Sequence, residues 1–177
     1  MLKMRAARGL SLIEVIIVIV LIGFLLITGL PAFSTMLANQ RIRSVADAVL
    51  AGLQTARIEA MKRNQNVTFT FDPDSTKAWQ ITLPDSTVLQ SMFADQRGSV
   101  AVVPWHDVDQ IVFNNLGRRT TPSSGSVNVL NIDIRNPAID ACETEGGSLR
   151  CLRITVGIGG ELRLCDPKRP AGDPQAC

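Results

Sequence analysis

The chain has 177 residues, a formal net charge of +2, four cysteines and one histidine. A net charge this small argues against a strong nonspecific nucleic-acid binder, because phosphate contacts dominate that kind of affinity. One histidine, His106, and no Cys-x-x-Cys pair give little support for a zinc site. The sequence contains no nucleophile–base pair and no glycine-rich phosphate loop, so we predict no enzymatic activity, no cofactor and a surface or loop position for His106.

The N-terminal region is a basic leader followed by a long apolar segment. The leader ends at Gly9, and from Val15 to Gln40 the sequence has no charged residue. About 20 apolar residues cross a bilayer as a helix, and basic residues before the span keep the N-terminus in the cytoplasm. Glu14 stands at the start of the run, where a charge costs about 2.5–3.5 kcal/mol on insertion scales. A simple signal anchor would leave Glu14 unexplained, so this residue is a candidate functional group.

Beyond the apolar segment the pattern becomes amphipathic, and one helix is predicted to continue to about Arg63. The charged cluster within Arg57–Arg63 is predicted to be a solvated helix face, with a bridge to a neighbouring subunit as the alternative. Residues 37–63 carry apolar side chains at three- and four-residue spacing, which we expect to pack on a globular domain: Ile42, Val45, Ala46, Val49, Leu53, Ala56 and Ala60.

After residue 65 the pattern changes to the period of two that is typical of strands. Turns are predicted at residues 72–74, 84–86 and 159–160, and a flexible loop at 120–126. One long helix followed by strands over residues 66–164 predicts an α+β fold with an antiparallel sheet. The predicted strands are Val67–Phe71, Ala78–Leu83, Thr87–Phe93, Ser99–Val103, Gln110–Phe113, Val127–Ile134, Cys151–Val156 and Glu161–Leu164.

All the cysteines lie late in the chain, and their even number in an exported domain argues for disulfides. Three pairings are possible. We favour the two pairings that are local in sequence. Cys142–Cys151 would close the loop between them, and Cys165–Cys177 would pin the C-terminal tail, residues 165–177.

The segment Gly9-Leu10-Ser11-Leu12-Ile13-Glu14 resembles the type III signal of type IV pilins and type II secretion pseudopilins. In that signal a Gly is followed by an apolar residue, which is most often Phe. The next four positions are Ser or Thr, then Leu, then an aliphatic residue, then Glu. The resemblance implies that a prepilin peptidase removes residues 1–9 by cleaving between Gly9 and Leu10, and that it then methylates the amine of Leu10. It also implies that Glu14 serves assembly by pairing with the methylated amine of a neighbouring subunit. This pairing would offset the desolvation cost of burying both charges.

The order of the parts is similar to the GspH/FimT branch of this superfamily. The Phe-x-x-x-Gly element of that branch is matched by Phe113–Gly117, and the Cys-Asp-Pro … Asp-Pro-x-Ala-Cys tail looks like that of FimT/FimU-type minor pilins. The resemblance implies that residues 10–36 form a transmembrane and filament-core helix in the bacterial inner membrane, and that residues 37–177 form a periplasmic domain. The resemblance also implies that the partners of the protein are other pilin subunits, the prepilin peptidase and inner-membrane lipid.

Some FimT relatives bind DNA through a Gly-Arg-x-Arg motif just before the tail. Here the matching positions read Gly160-Glu161-Leu162-Arg163, so an acidic residue replaces the first arginine and would repel phosphate. Arg163, Lys168 and Arg169 remain candidate DNA contacts. The resemblance therefore favours a minor pilin that acts in assembly, priming and tip structure of a type IV pilus. The alternatives are a DNA-binding minor pilin for natural transformation and pseudopilin H of a type II secretion system.

Overall fold

The long N-terminal helix is the first element of the fold. A computed structural model describes residues 11–74, 76–105, 108–120 and 129–177, with the backbone alone described at 27–32 and at Pro73. Helix α1 runs from Leu12 to Arg63, so the predicted C-terminal end is confirmed. The helix ends there because Asn64 takes a left-handed φ of 54° and the Gln65 amide bonds back to the Ala60 carbonyl at 3.2 Å.

The chain divides into two compact units, one up to Met36 and one from Leu37 onward. In the first unit, the apolar side chains from Leu12 to Ile22 and from Phe24 to Leu26 are exposed. Across the part of the chain that the structure describes, no helix combines the length and the apolar character needed to span a bilayer.

In the second unit, the described residues after α1 form strands and short helical turns. The short helix α2, Ala94–Arg97, precedes Gly98, and a 3-10 turn spans Glu143–Glu145. The strands are β1 Val67–Asp74, β2 Lys77–Thr82, β3 Val88–Phe93, β4 Ala101–Pro104, β5 Gln110–Phe113, β6 Arg119–Thr120, β7 Val129–Arg135, β8 Leu152–Gly157 and β9 Leu162–Cys165.

These strands form two antiparallel sheets, which confirms the α+β prediction but divides the expected sheet in two. The first sheet has the order β3-β2-β1-β5-β6 and the second β4-β7-β8-β9. Register places Phe69 opposite Ile81 and Ile111 in the first sheet, and Ile132 opposite Ile154 in the second. Strand β4 follows α2 and Gly98, which has a positive φ of 60°, and it pairs with β7 in the second sheet, whereas β5 and β6 return to the first.

Most strand bounds agree with the prediction to within a few residues, with two differences. Strand β1 continues to Asp74 through an irregularity in its pairing with β2, where a turn was predicted at 72–74. The two-residue β6 was missed, because so short a strand leaves no periodic pattern. His106 and most of the loop predicted at 120–126 lie outside the described residues.

The core lies between α1 and the two sheets. Every residue of the predicted apolar stripe of α1 is at most 2 % exposed, which confirms the stripe. Helix and aromatic side chains meet closely at Gly52, where a Cβ atom would lie 2.9 Å from the Phe69 ring and 3.0 Å from the Trp79 ring. Phe69 also stacks on Trp79, with 5.2 Å between ring centroids. A small residue at position 52 is therefore what lets the aromatic cluster reach the helix.

Candidate functional site

Glu14 lies in the first turn of α1 and is exposed. Its backbone amide donates to the Ser11 carbonyl at 3.1 Å, so the helix is already formed at this position. A carboxylate at a helix N-terminus is favoured by the partial positive charge of the free amides there. Gly9 and Leu10, the predicted cleavage and methylation positions, lie outside the described residues.

The cysteines pair as the sequence favoured. Cys142 is bonded to Cys151 with 5.4 Å between Cα atoms, and Cys165 is bonded to Cys177 with 5.1 Å between Cα atoms. The first bond closes a loop before β8, and the second fastens the tail to the end of β9. Each closed loop restricts the unfolded chain and so favours the folded state.

Asp166 connects the two disulfide-closed segments. Its side chain is buried, and its carboxylate accepts a hydrogen bond from Nη2 of Arg150 at 2.6 Å. Nε of Arg169 lies 3.7 Å from the same carboxylate, and the Lys168 amide donates to it at 2.9 Å. These partners offset the desolvation of a buried charge.

The tail is also hydrogen-bonded to β9. Nη2 of Arg163 donates to the carbonyl oxygens of Pro174 and Ala176, at 3.0 and 2.8 Å. The Asp166 amide donates to the Gln175 carbonyl at 2.8 Å. A proline- and glycine-containing segment is thus held in one conformation by side-chain and backbone contacts together with its disulfide.

The three candidate DNA contacts all make contacts within the protein. Arg163 donates to the tail, Nζ of Lys168 lies 3.4 Å from the Glu143 carbonyl, and Nη1 of Arg169 donates to Asp173 at 3.0 Å. The sequence predicted a tail pinned by its disulfide but not these contacts, which depend on how the tail folds back on the domain.

Glu161, which replaces the first arginine of the DNA-binding motif, acts on Arg119. Burial lowers the pKa of the Arg119 guanidinium, and the nearby negative charge of Glu161 opposes that shift. Glu161 therefore supplies negative charge beside a buried cation, where an arginine would add a second positive charge.

The Phe113–Gly117 element packs against the end of α1. Phe113 is fully buried, and Gly117 has a left-handed φ of 71°. Nε of Arg57 donates to the Gly117 carbonyl at 3.1 Å, so the prediction that Arg57 is merely solvated is wrong. Gly160 lies against the same carbonyl, and a Cβ atom there would overlap it. Two separate sequence motifs thus meet at one point.

A second cluster lies on the second sheet. Arg153 binds both carboxylate oxygens of Asp133, at 2.6 and 3.2 Å, and its guanidinium carbon lies 4.5 Å from the centre of the Trp105 ring. The Trp105 indole donates to Asp133 at 2.7 Å. Sequence reasoning missed this cluster because its residues come from three strand regions. No group of three or more His, Cys, Asp or Glu residues within the described ranges is placed to hold a metal ion.

Comparison with protein-family models gives a match. Residues 45–160 match the family model of the type II transport protein GspH. Comparison with curated protein sequences gives no match.

The fold is similar to that of solved filament proteins. A crystal structure of the type IV minor pilin FimU of Pseudomonas aeruginosa is 20% identical, with a TM-score of 0.55 over 78% of this chain and 96% of that one. A second crystal form of FimU gives a TM-score of 0.52 at 20% identity, covering 76% and 98%. The minor pseudopilin EpsH of the Vibrio cholerae type 2 secretion system is 14% identical, with a TM-score of 0.51 over 73% and 99%. At these identities the likeness shows the fold alone.

Proposed function

Because the chain belongs to the GspH family of type II transport proteins, we propose that it is a minor pilin that acts in assembly, priming and tip structure of a type IV pilus. The observation that carries this proposal is the tail, which is closed by Cys165–Cys177 and bound to β9 by Arg163. A tail of this composition resembles FimT/FimU-type minor pilins. The likeness of the fold to the minor pilin FimU supports the same choice.

Maturation and assembly would follow the N-terminal signal. Prepilin peptidase would cleave between Gly9 and Leu10 and methylate the Leu10 amine. Residues 10–36 would hold the subunit in the inner membrane, with residues 37–177 in the periplasm. Glu14 would then pair with the methylated amine of a neighbouring pilin subunit as the helix enters the filament, because a buried carboxylate and a buried ammonium each need a partner.

A role as pseudopilin H of a type II secretion system is the second candidate, and the likeness to EpsH supports it. Gene neighbourhood separates the two candidates, because pilus and secretion genes lie in different clusters. A DNA-receptor role has less support, since Arg163, Lys168 and Arg169 are engaged within the protein and Glu161 is acidic.

Deletion of the gene tests the proposal. Surface pili are counted by electron microscopy, and type II secretion of a reporter enzyme is assayed in the same strain. We expect fewer pili with normal secretion, and recovery when the full-length gene is returned. Lost secretion with normal pili would support the pseudopilin instead, and normal pili with normal secretion would refute both roles.

A further inference from the structure

The tail builds one wall of a cleft. The cleft has a volume of about 270 Å³ and lies between the tail, α1, β8 and β9. Its polar lining consists of Asn39, Arg43, Arg150, Asp166, Arg169 and Gln175. Three guanidinium groups and one carboxylate thus line the cleft, and two carboxylates outside the lining, Asp47 and Asp173, pair with Arg43 and Arg169.

The single carboxylate of the lining is already in use. Asp166 is buried and accepts from Arg150, with Arg169 close by. Each guanidinium has five N–H donors, and its contacts within the protein involve only one or two of its nitrogens. Arg43 pairs with Asp47 on the same helix, but both side chains are more than half exposed, at 60% and 54%, so that pair is weak. The cleft therefore offers donors to an anion from outside.

The walls of the cleft are fixed before any ligand arrives. The Arg150 amide donates to Oδ1 of Asn39 at 2.9 Å, which ties the first disulfide loop to α1. Cys165–Cys177 and the Arg150–Asp166 pair hold the opposite wall. A site that is rigid in advance loses little conformational entropy on binding.

We infer that this cleft binds the phosphate of an anionic phospholipid head group. Guanidinium groups match phosphate because their planar N–H donors bind two oxygens at once. The inference rests on the proposed membrane segment, residues 10–36. Asn39 and Arg43 follow that segment within two helical turns, and basic sites near a membrane surface attract anionic lipid. A phosphatidylglycerol head group has the required single negative charge.

The test uses the full-length protein in mild detergent and native mass spectrometry. Phosphatidylglycerol, phosphatidylcholine and inorganic phosphate are each added alone. In a competition experiment, phosphatidylglycerol and phosphate are added together. We expect one bound phosphatidylglycerol, weaker binding of phosphatidylcholine, and little competition from phosphate. Arg43→Gln should weaken phosphatidylglycerol binding about tenfold, the loss expected for one charged hydrogen bond.

Arg41→Gln is the matched control. It removes the same charge from the same helix, at a side chain that lies beside Gly98 and not in the cleft. The control should bind phosphatidylglycerol like the unchanged protein. Equal weakening by both substitutions would overturn the inference, because it would show only a general charge effect.

Three further outcomes also overturn it. Phosphate that displaces phosphatidylglycerol at equal concentration would make this a site for free anions. If Arg43→Gln leaves lipid binding unchanged but no longer binds a neighbouring pilin subunit, the cleft is a site for a carboxylate of a protein partner. Absence of any lipid preference would leave no site. Flotation of the full chain with zwitterionic vesicles is measured in parallel, because failure to float refutes the membrane segment itself and not only the cleft.

Discussion

Arg150 donates its Nη2 to the buried carboxylate of Asp166 at 2.6 Å. Arg150 directly precedes Cys151, and Asp166 directly follows Cys165. The pair therefore couples the loop closed by one disulfide to the tail closed by the other. The two disulfide-closed segments therefore form one connected region, which also lines the cleft.

Asp166→Ala should lower the free energy of unfolding by about 2–3 kcal/mol, because it removes the acceptor shared by Arg150 and the Lys168 amide. The measurement is denaturant unfolding of the full chain in detergent, followed by circular dichroism. Asp47→Ala, at an exposed ion pair on α1, is the control and should cost less than about 1 kcal/mol. Equal losses in both variants would argue against a special role for Asp166.

Replacing Cys165 and Cys177 together by serine should release the tail and cost about 2–4 kcal/mol of stability. Hydrogen exchange, read by mass spectrometry, should accelerate across residues 166–176, because the Asp166 and Ala176 amides would lose their hydrogen bonds to the Gln175 and Asp173 carbonyls. The matched variant replaces Cys142 and Cys151 by serine, and it should loosen the other loop first. A tail that exchanges at its original rate without its disulfide would contradict this view.

Gly160→Ala should destabilise the protein by about 3 kcal/mol or more. The new Cβ would overlap the Gly117 carbonyl, and the left-handed φ of 81° is unfavourable for alanine. Gly146→Ala is a close control, because Gly146 also has a left-handed φ, of 86°, but open space around it. It should cost only about 1 kcal/mol. Thermal unfolding of both variants measures the difference, and equal shifts would show that backbone strain alone matters.

The stabilisation that Asp140 gives to the loop closed by Cys142–Cys151 should be lost in acid. The Ser148 hydroxyl, and then the backbone amides of Ala141 and Ser148, hold the pKa of Asp140 below its ordinary value of 3.8. A carboxyl whose pKa is lowered by folding stabilises the protein above its unfolded pKa, and this contribution is lost as the pH falls through the folded pKa. The stability gap between the unchanged protein and Asp140→Asn should therefore be constant from pH 7 to about 5 and shrink below about pH 4. Unfolding curves over that range measure it, and a gap that widens in acid would contradict the assignment.

Features that repeat over several turns or lie close together in the chain were predictable from sequence. The stripe from Ile42 to Ala60 was found because helical spacing repeats over several turns, and all its members are buried. The local disulfides were favoured for a similar reason, since their partners are close in the chain. The end of α1 at Arg63 was predicted because the amphipathic pattern stops there.

The contacts between distant segments were not predictable in the same way. Gly117 and Gly160 belong to motifs that the sequence flagged separately, but only the paired strands bring them together and place Arg57 on the Gly117 carbonyl. The split into two sheets depends on the pairing of β4 with the distant β7, which a local pattern does not reveal.

The measurement that tests the central proposal most directly is the amount of this chain in sheared, purified pili. Quantitative mass spectrometry compares the unchanged protein with Glu14→Ala, and with Asp47→Ala as a control that also removes a carboxylate from α1. We expect the unchanged protein and the control to be present in filaments with an N-terminus at methylated Leu10. We expect Glu14→Ala to be cleaved after Gly9 but to fall to background in the filaments. Equal amounts of all three proteins in the filaments, or absence of the unchanged protein from them, would contradict the proposed role of Glu14 in assembly.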